Sequence, residues 1–261
     1  MSDHVNLYET RRLVDEYLLF HYGADHEILP WDGGPVSALR FPLRTVTELL
    51  PSCGNLSGNP DGLRALDVGC AVGRSAFELS KVCAEVVGID YSHAFIQAAA
   101  SLQTGVPLPY QIAREAHLTE PLVARLPENG TGSGGLPGDI HPERISFRQG
   151  DAMNLPEDLG TFDIVHAANL ICRLTEPLRF LQRLPSLIRP GGHLLLTTPC
   201  TWLAEFTPPD RWPTGTTLDW LTETLSPHFD LIQKKDLPFL IREHARKFQW
   251  SMALGTVWQR K

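Results

Sequence analysis

The residues most able to do chemistry lie in Leu63-Arg64-Ala65-Leu66-Asp67-Val68-Gly69-Cys70-Ala71-Val72-Gly73-Arg74. A short apolar run, the pattern of a buried strand, enters a turn punctuated by Gly69 and Gly73, and a helical pattern over 75–80 follows at once. Glycines there allow a tight turn and let a ligand lie against the main chain, while the free N–H groups of the next helix point at whatever fills the turn. A second apolar run, Glu85-Val86-Val87-Gly88-Ile89-Asp90, ends in an acid that can accept both hydroxyls of a ribose. These features describe a nucleoside-binding βαβ unit. The spacing is Asp67-x-Gly69-x-x-x-Gly73, without the third glycine of the dinucleotide pattern G-x-G-x-x-G. An anion at Asp67 repels a pyrophosphate but can serve an ammonium group, directly or through water.

The arrangement resembles the first two motifs of class I S-adenosylmethionine-dependent methyltransferases, which usually carry a glycine where Ala71 stands. The resemblance implies S-adenosyl-L-methionine as cofactor and S-adenosyl-L-homocysteine as product, with Asp67, Gly69, Cys70, Gly73, Asp90 and Tyr91 around them. Two further landmarks follow in order. Ile145-Ser146-Phe147-Arg148-Gln149-Gly150-Asp151-Ala152 ends a strand at Asp151, the type of residue that accepts the adenine amino group, or that caps the next helix. Phe162-Asp163-Ile164-Val165-His166-Ala167-Ala168-Asn169 is the next strand, whose tip lies beside the transferred methyl in that fold. Ala152 and Asn169 join the cofactor set. Arg44, in Pro42-Leu43-Arg44, is similar to an arginine that pairs with the cofactor carboxylate in small-molecule O-methyltransferases, or is an exposed helical residue.

Positioning these residues takes an α/β chain. Leu13, Val14, Tyr17, Leu18 and His21 sit at helical spacing ahead of Gly23, and a second helix is expected from Pro42 to before Pro51. Strands are predicted near 64–68, 85–90, 145–149, 162–168 and 192–198 with helical stretches between, which argues for a parallel sheet covered on both faces. Runs 229–236 and 248–258 read as an antiparallel closing pair with a connection of about ten residues. The fold class expected is therefore α/β, a Rossmann-like, mostly parallel sheet with an antiparallel C-terminal pair and an N-terminal helical extension. One domain spans 1–261: a helical cap or substrate segment over 1–60, the core over 64–261, and a mobile glycine- and proline-rich insertion over 126–143.

Composition bounds the partners. At 261 residues and 43% hydrophobic content the chain can bury one substantial core. A net charge of −7 argues against nucleic acid. No apolar run approaches the ~20 residues of a membrane span, and no signal-peptide pattern opens the sequence. Cys53, Cys70, Cys83, Cys172 and Cys200 are scattered and odd in number, as in a cytoplasmic protein with reduced thiols and no metal site.

The flanks are more specific. Tyr8-Glu9-Thr10, Tyr17 to Gly23, Phe41 to Arg44, Asn169 to Leu174 and Pro199 to Pro208 together resemble the C-terminal methyltransferase domain of ovothiol synthases, the 5-mercaptohistidine N-methyltransferase family. The resemblance runs from about Tyr8 to Trp258 and includes Ala71 as the expected residue. The iron-dependent sulfoxide synthase part of those enzymes has no counterpart here. The resemblance implies a freestanding enzyme that methylates an imidazole nitrogen of 5-mercaptohistidine, or of its selenium analogue, supplied by another protein. Sulfur in such a ring is the softer nucleophile, so the site must orient the ring more than deprotonate it. His21 and Asn169 are the catalytic candidates, with His21 otherwise a core histidine and Asn169 a turn residue. Tyr17 and Tyr22 are substrate candidates. Arg173 either clamps the substrate carboxylate or sits on a helix surface. Trp202 and Phe206 either wall the ring or anchor their loop. His166 reads as structural.

The alternatives are an O- or N-methyltransferase acting on another small molecule, and a non-enzymatic S-adenosylmethionine-binding protein. An oxidoreductase lacks its glycines. Oligomeric state is undetermined by the sequence.

Overall fold

The computed structural model describes residues 7–54, 62–127 and 135–261. The insertion expected over 126–143 falls in part on 128–134, outside the described residues. The expected sheet is present. Its parallel strands are β1 (Arg64–Val68), β2 (Glu85–Asp90), β5 (Ile145–Gln149), β6 (Phe162–Ala168) and β7 (Ile188–Thr198). β8 (Phe229–His244) and β9 (Lys247–Arg260) close it antiparallel, in the order β5-β2-β1-β6-β7-β9-β8.

Successive residues on the central strands divide between two apolar clusters, as the period of a strand requires. Ala65, Val86, Ile164 and Leu195 enter the cluster of Leu18, Phe41, Phe77 and Phe95. Leu66, Val87, Val165 and Leu194 enter the one around Phe180, Leu184 and Leu221. The first face thus carries α1 (Arg11–Tyr22), α2 (Asp25–Ile28), α3 (Phe41–Thr47), α4 (Arg74–Leu79) and α5 (His93–Gln103), and the second carries α6 (Pro177–Leu187) and α7 (Thr217–Leu225). Side-chain caps set the starts of α1, α5 and α7: Thr10, Ser92 and Thr216 accept from the N–H groups of Leu13, Phe95 and Asp219. Pro42 stands in the first turn of α3.

Two sequence expectations fail. Residues between α5 and β5 hold an antiparallel hairpin, β3 (Leu108–Glu115) and β4 (Leu118–Ala124), where a helical stretch was expected. Buried Tyr110 and Ile112 alternate with less buried neighbours in β3, a short period-2 signal interrupted by Pro107 and Pro109. The β8–β9 connection is Ala245-Arg246, not about ten residues; both strands run on past the predicted ends. Pro238 breaks the β8 pattern and is tolerated because β8 is an edge strand of the seven-stranded sheet.

Candidate active site

Gly69, Ala71 and Gly73 all take left-handed backbone conformations, at φ 73°, 48° and 91°. A Cβ on Gly73 would meet Phe147 Cζ at 2.7 Å and Ala99 Cβ at 3.1 Å, so glycine is required there for space as well as conformation. Ala71, an L residue in this strained region, is held by its neighbour across the turn: its N–H donates to Asp90 Oδ2 at 2.9 Å, and Ser92 N–H donates to Asp90 Oδ1 at 2.9 Å. Burial pushes the Asp90 carboxyl up to about 6, against the lowering by these two N–H bonds.

Asp67 is anchored from another strand. His166 Nδ1 lies 2.7 Å from Asp67 Oδ1, and His166 Nε2 lies 3.0 Å from Thr45 Oγ1 on α3. Thr45 Oγ1 in turn donates to the Pro42 carbonyl. Asp67 and His166 are each 1% exposed. Asp67 Oδ2 is buried and has no partner among the described residues. His166 is thus a structural residue with a specific task, and the sequence alone gave no sign that it meets Asp67.

The N-terminal elements cover this turn. Tyr22 Oη donates to the Val72 carbonyl at 2.7 Å. Tyr17 stacks on His21 with ring centroids 5.7 Å apart and packs on Phe95 at 4.6 Å. Tyr8, which carried no assigned role in the sequence, meets Tyr17, Phe95 and Phe206. Its carbonyl accepts from Ser92 Oγ, and the adjoining Glu9 carboxylate accepts from the N–H groups of His93 and Ala94 at the start of α5. Burial, and then the Arg74 cation, drive the His21 imidazole down to about 3, and its buried Nδ1 has no partner among the described residues. The ring is neutral at ordinary pH and too weak a base to hold a proton; it offers a hydrogen-bonding edge.

At the tip of β6, Asn169 is in the left-handed region at φ 52°, which asparagine tolerates. Its Oδ1 accepts from Thr197 Oγ1 at 3.1 Å, so its amide nitrogen keeps its donors. Arg173 lies over the Phe206 ring at 4.7 Å, bonds Tyr8 and donates to the carbonyls of Cys172 and Thr201. Asp151 Oδ1 accepts from Met153 N–H at 2.8 Å, the capping bond, leaving Oδ2. Ala152 beside it is buried and Tyr91 is exposed. Cys70 is buried in the turn, where desolvation and the Asp67 and Asp90 charges raise its thiol pKa.

Two predicted site residues point elsewhere. Arg44 is bound to Glu48, to the Ser37 carbonyl and to the Pro238 carbonyl. Trp202 donates to Thr217 Oγ1 at 3.0 Å and packs edge-on against Trp220, in the manner of a loop anchor. A cavity of about 820 Å³ is lined by His21, Tyr22, Arg40, Arg74 and Lys81 among others. None of Gly69, Asp90, Asp151 or Asn169 lines it.

The turn suits the nucleoside and amino-acid ends of S-adenosylmethionine: a glycine cradle, an unpartnered buried oxygen on Asp67, and the Asp90 carboxylate at the tip of β2. A family described as a methyltransferase domain matches residues 38–249. Among curated proteins, the chain is 27% identical over 184 residues to the tRNA U34 carboxymethyltransferase of Idiomarina loihiensis, covering 67% of this chain and 46% of that protein. It is 26% identical over 141 residues to the ubiquinone biosynthesis O-methyltransferase of Xanthomonas axonopodis pv. citri, covering 53% and 44%. The chain therefore spans less than half the length of either relative. Among solved structures, the N-methyltransferase NodS from Bradyrhizobium japonicum, in complex with S-adenosyl-L-homocysteine, superposes with a TM-score of 0.51 at 16% identity, covering 95% of this chain and 98% of that one. The [4+2]-cyclase SpnF superposes with a TM-score of 0.52 at 19% identity, covering 96% and 97%. At these identities the likeness is one of fold.

Proposed function

Because the chain belongs to a family of methyltransferase domains that use S-adenosylmethionine, we propose that it methylates an imidazole nitrogen of 5-mercaptohistidine. The observation that carries this reading is that neither polar candidate is a strong base: His21 is neutral, with Nδ1 unpartnered among the described residues, and Asn169 is an amide whose Oδ1 is taken by Thr197. S-adenosylmethionine supplies the electrophilic methyl group, and the sulfonium electrons stay with the departing S-adenosylhomocysteine. A neutral imidazole nitrogen attacks with its lone pair, so no proton needs removing beforehand; the ring proton leaves afterwards to solvent. What the protein must do is present nitrogen and turn sulfur away. Asp67 and Asp90 hold the amino-acid and ribose ends of the donor, and Asp151 its adenine. Tyr8, Tyr17 and Phe206 shield the reacting centre from water.

Two of the flanking segments that resemble the ovothiol enzymes border the turn, through Tyr22 on the Val72 carbonyl and Leu170 beside Gly69, which supports this reading. A small phenolic acceptor is the second reading, favoured by the aromatic cluster Tyr8, Tyr17, Phe95 and Phe206. Mass spectrometry of reactions containing S-adenosylmethionine and either 5-mercaptohistidine or histidine separates the two. One added methyl on mercaptohistidine alone, placed on nitrogen by NMR, is the expected result. Bound cofactor with no product from either substrate overturns the mercaptohistidine assignment.

A further inference from the structure

Arg242, near the end of β8, is 5% exposed. Its Nη1 donates to the Glu27 carbonyl. Its Nε and Nη2 are both buried with no partner among the described residues. Those two N–H groups point the same way from the guanidinium plane and form the edge that grips a carboxylate or phosphate with two parallel bonds. A buried cation whose two-donor edge is empty is costly, because it has lost water and gained nothing in return.

Arg242 is one of the residues lining a cavity of about 550 Å³ between α1, the β3–β4 hairpin and the tip of β8. Three carboxylates line it, and each already has its own cation: Asp15 with Arg11 at 2.9 Å, Glu16 with Arg12 at 2.9 Å and Glu243 with Lys247 at 2.6 Å. Glu120, across the hairpin, is paired with Arg114 at 2.8 Å. Arg242 has no ion pair among the described residues, whereas the other arginines and the carboxylates that line the cavity are each paired. By contrast Arg74, buried to a similar degree, has Glu78 at 3.2 Å. The α1 residues that line the cavity, Arg11, Arg12, Asp15, Glu16 and Leu19, share one helical face. Tyr17 and His21 lie on the other, so the cavity is separate from the cofactor turn.

We propose that this cavity is a second binding site, for a small molecule bearing a carboxylate or phosphate group, which Arg242 holds in a bidentate pair. The oxyanion supplies the missing counter-charge and the two missing acceptors at once.

The test uses the full chain labelled with nitrogen-15. The Arg242 Nε–H resonance, identified by its loss in Arg242→Met, is titrated with sodium acetate and, separately, with inorganic phosphate, chloride holding the ionic strength constant. Thermal unfolding is followed under the same conditions. The expected result is a saturable shift of that resonance and a rise in Tm of several degrees, both absent from Arg242→Met, whose S-adenosylhomocysteine binding is unchanged. A response to acetate alone identifies a carboxylate ligand, to phosphate alone a phosphate-bearing one, and to both a general oxyanion site. Arg242→Lys keeps the charge without the fork and binds about tenfold more weakly; it also serves if the methionine variant does not fold. No shift and no Tm rise above the chloride control overturns the proposal. So does equal binding by wild type and variant.

Discussion

Asp67 and His166 are register partners on adjacent parallel strands, and their side chains meet at 2.7 Å where each is 1% exposed. The other ring nitrogen is 3.0 Å from Thr45 Oγ1, so the imidazole is fixed at both ends. One carboxylate oxygen is thereby committed and the other, Oδ2, is buried near the end of β1 with no partner among the described residues. The acid expected to receive an ammonium group is oriented before any ligand arrives, which lowers the cost of binding.

Removing both members of this pair should cost clearly less than the sum of the two separate removals. Asp67→Ala or His166→Leu alone is expected to cost about 3–5 kcal/mol, since each strands a buried polar partner. The double variant should cost well below the sum, with a coupling of about 1–3 kcal/mol in a double-mutant cycle followed by urea unfolding. Simple additivity would show that the contact carries no energy.

On the proposed reading, in which Asp90 holds the donor's ribose, donor binding depends on pH. The Asp90 carboxyl is raised to about 6 by burial, so the folded chain holds a proton there that the unfolded chain releases near 4. Its contribution to stability is full below pH 4 and is lost as pH rises through 6, by about 3 kcal/mol. Ribose hydroxyls need the ionised form. The Kd for S-adenosylhomocysteine, measured by calorimetry, should therefore rise up to about tenfold per unit of pH below 6. Asp90→Asn should bind weakly with that dependence gone.

Substituting glycines of similar backbone conformation should separate space from conformation. Gly73→Ala at φ 91° drives a Cβ into Phe147, whereas Gly105→Ala at φ 76° meets nothing within 4 Å. The second is expected to cost about 1 kcal/mol and the first at least about 2 kcal/mol more. Gly73→Ala should also abolish S-adenosylhomocysteine binding, while Gly105→Ala leaves it intact. Equal unfolding midpoints would contradict the steric account.

His21 should act as an orienting group with no acid limb of its own. With its pKa near 3, against the ordinary 6.5, its stabilising neutral form is lost only as pH falls below 6.5 toward 3. The rate profile from pH 6.5 to 9 should lack a His21 limb. His21→Asn, which keeps a polar edge, should retain about tenfold more kcat/KM than His21→Leu. A wild-type limb that vanishes in both variants would mark His21 as a base instead.

The chemistry-bearing spacing was readable because it is local. Asp67-x-Gly69-x-x-x-Gly73 and Asp90 each sit at the end of a short apolar run, and a strand feeding a tight turn and a helix leaves that pattern within a dozen residues. The five parallel strands followed for the same reason. The β3–β4 hairpin did not, because its alternation is short and lies among turn residues.

The sequence by itself determined the βαβ turn, the α/β class and the closing antiparallel pair, all consequences of neighbouring residues and their periodicity. Tertiary structure alone decided that His166 braces Asp67, that Tyr8 closes on Phe206, and that Arg44 and Trp202 are spent on packing partners. It also decided that Arg242 is buried without a counter-charge. The physical reason is separation along the chain. Strand register and helix docking bring together residues tens to hundreds of positions apart, and a side chain's partners, burial and charge state are fixed only when those surfaces meet.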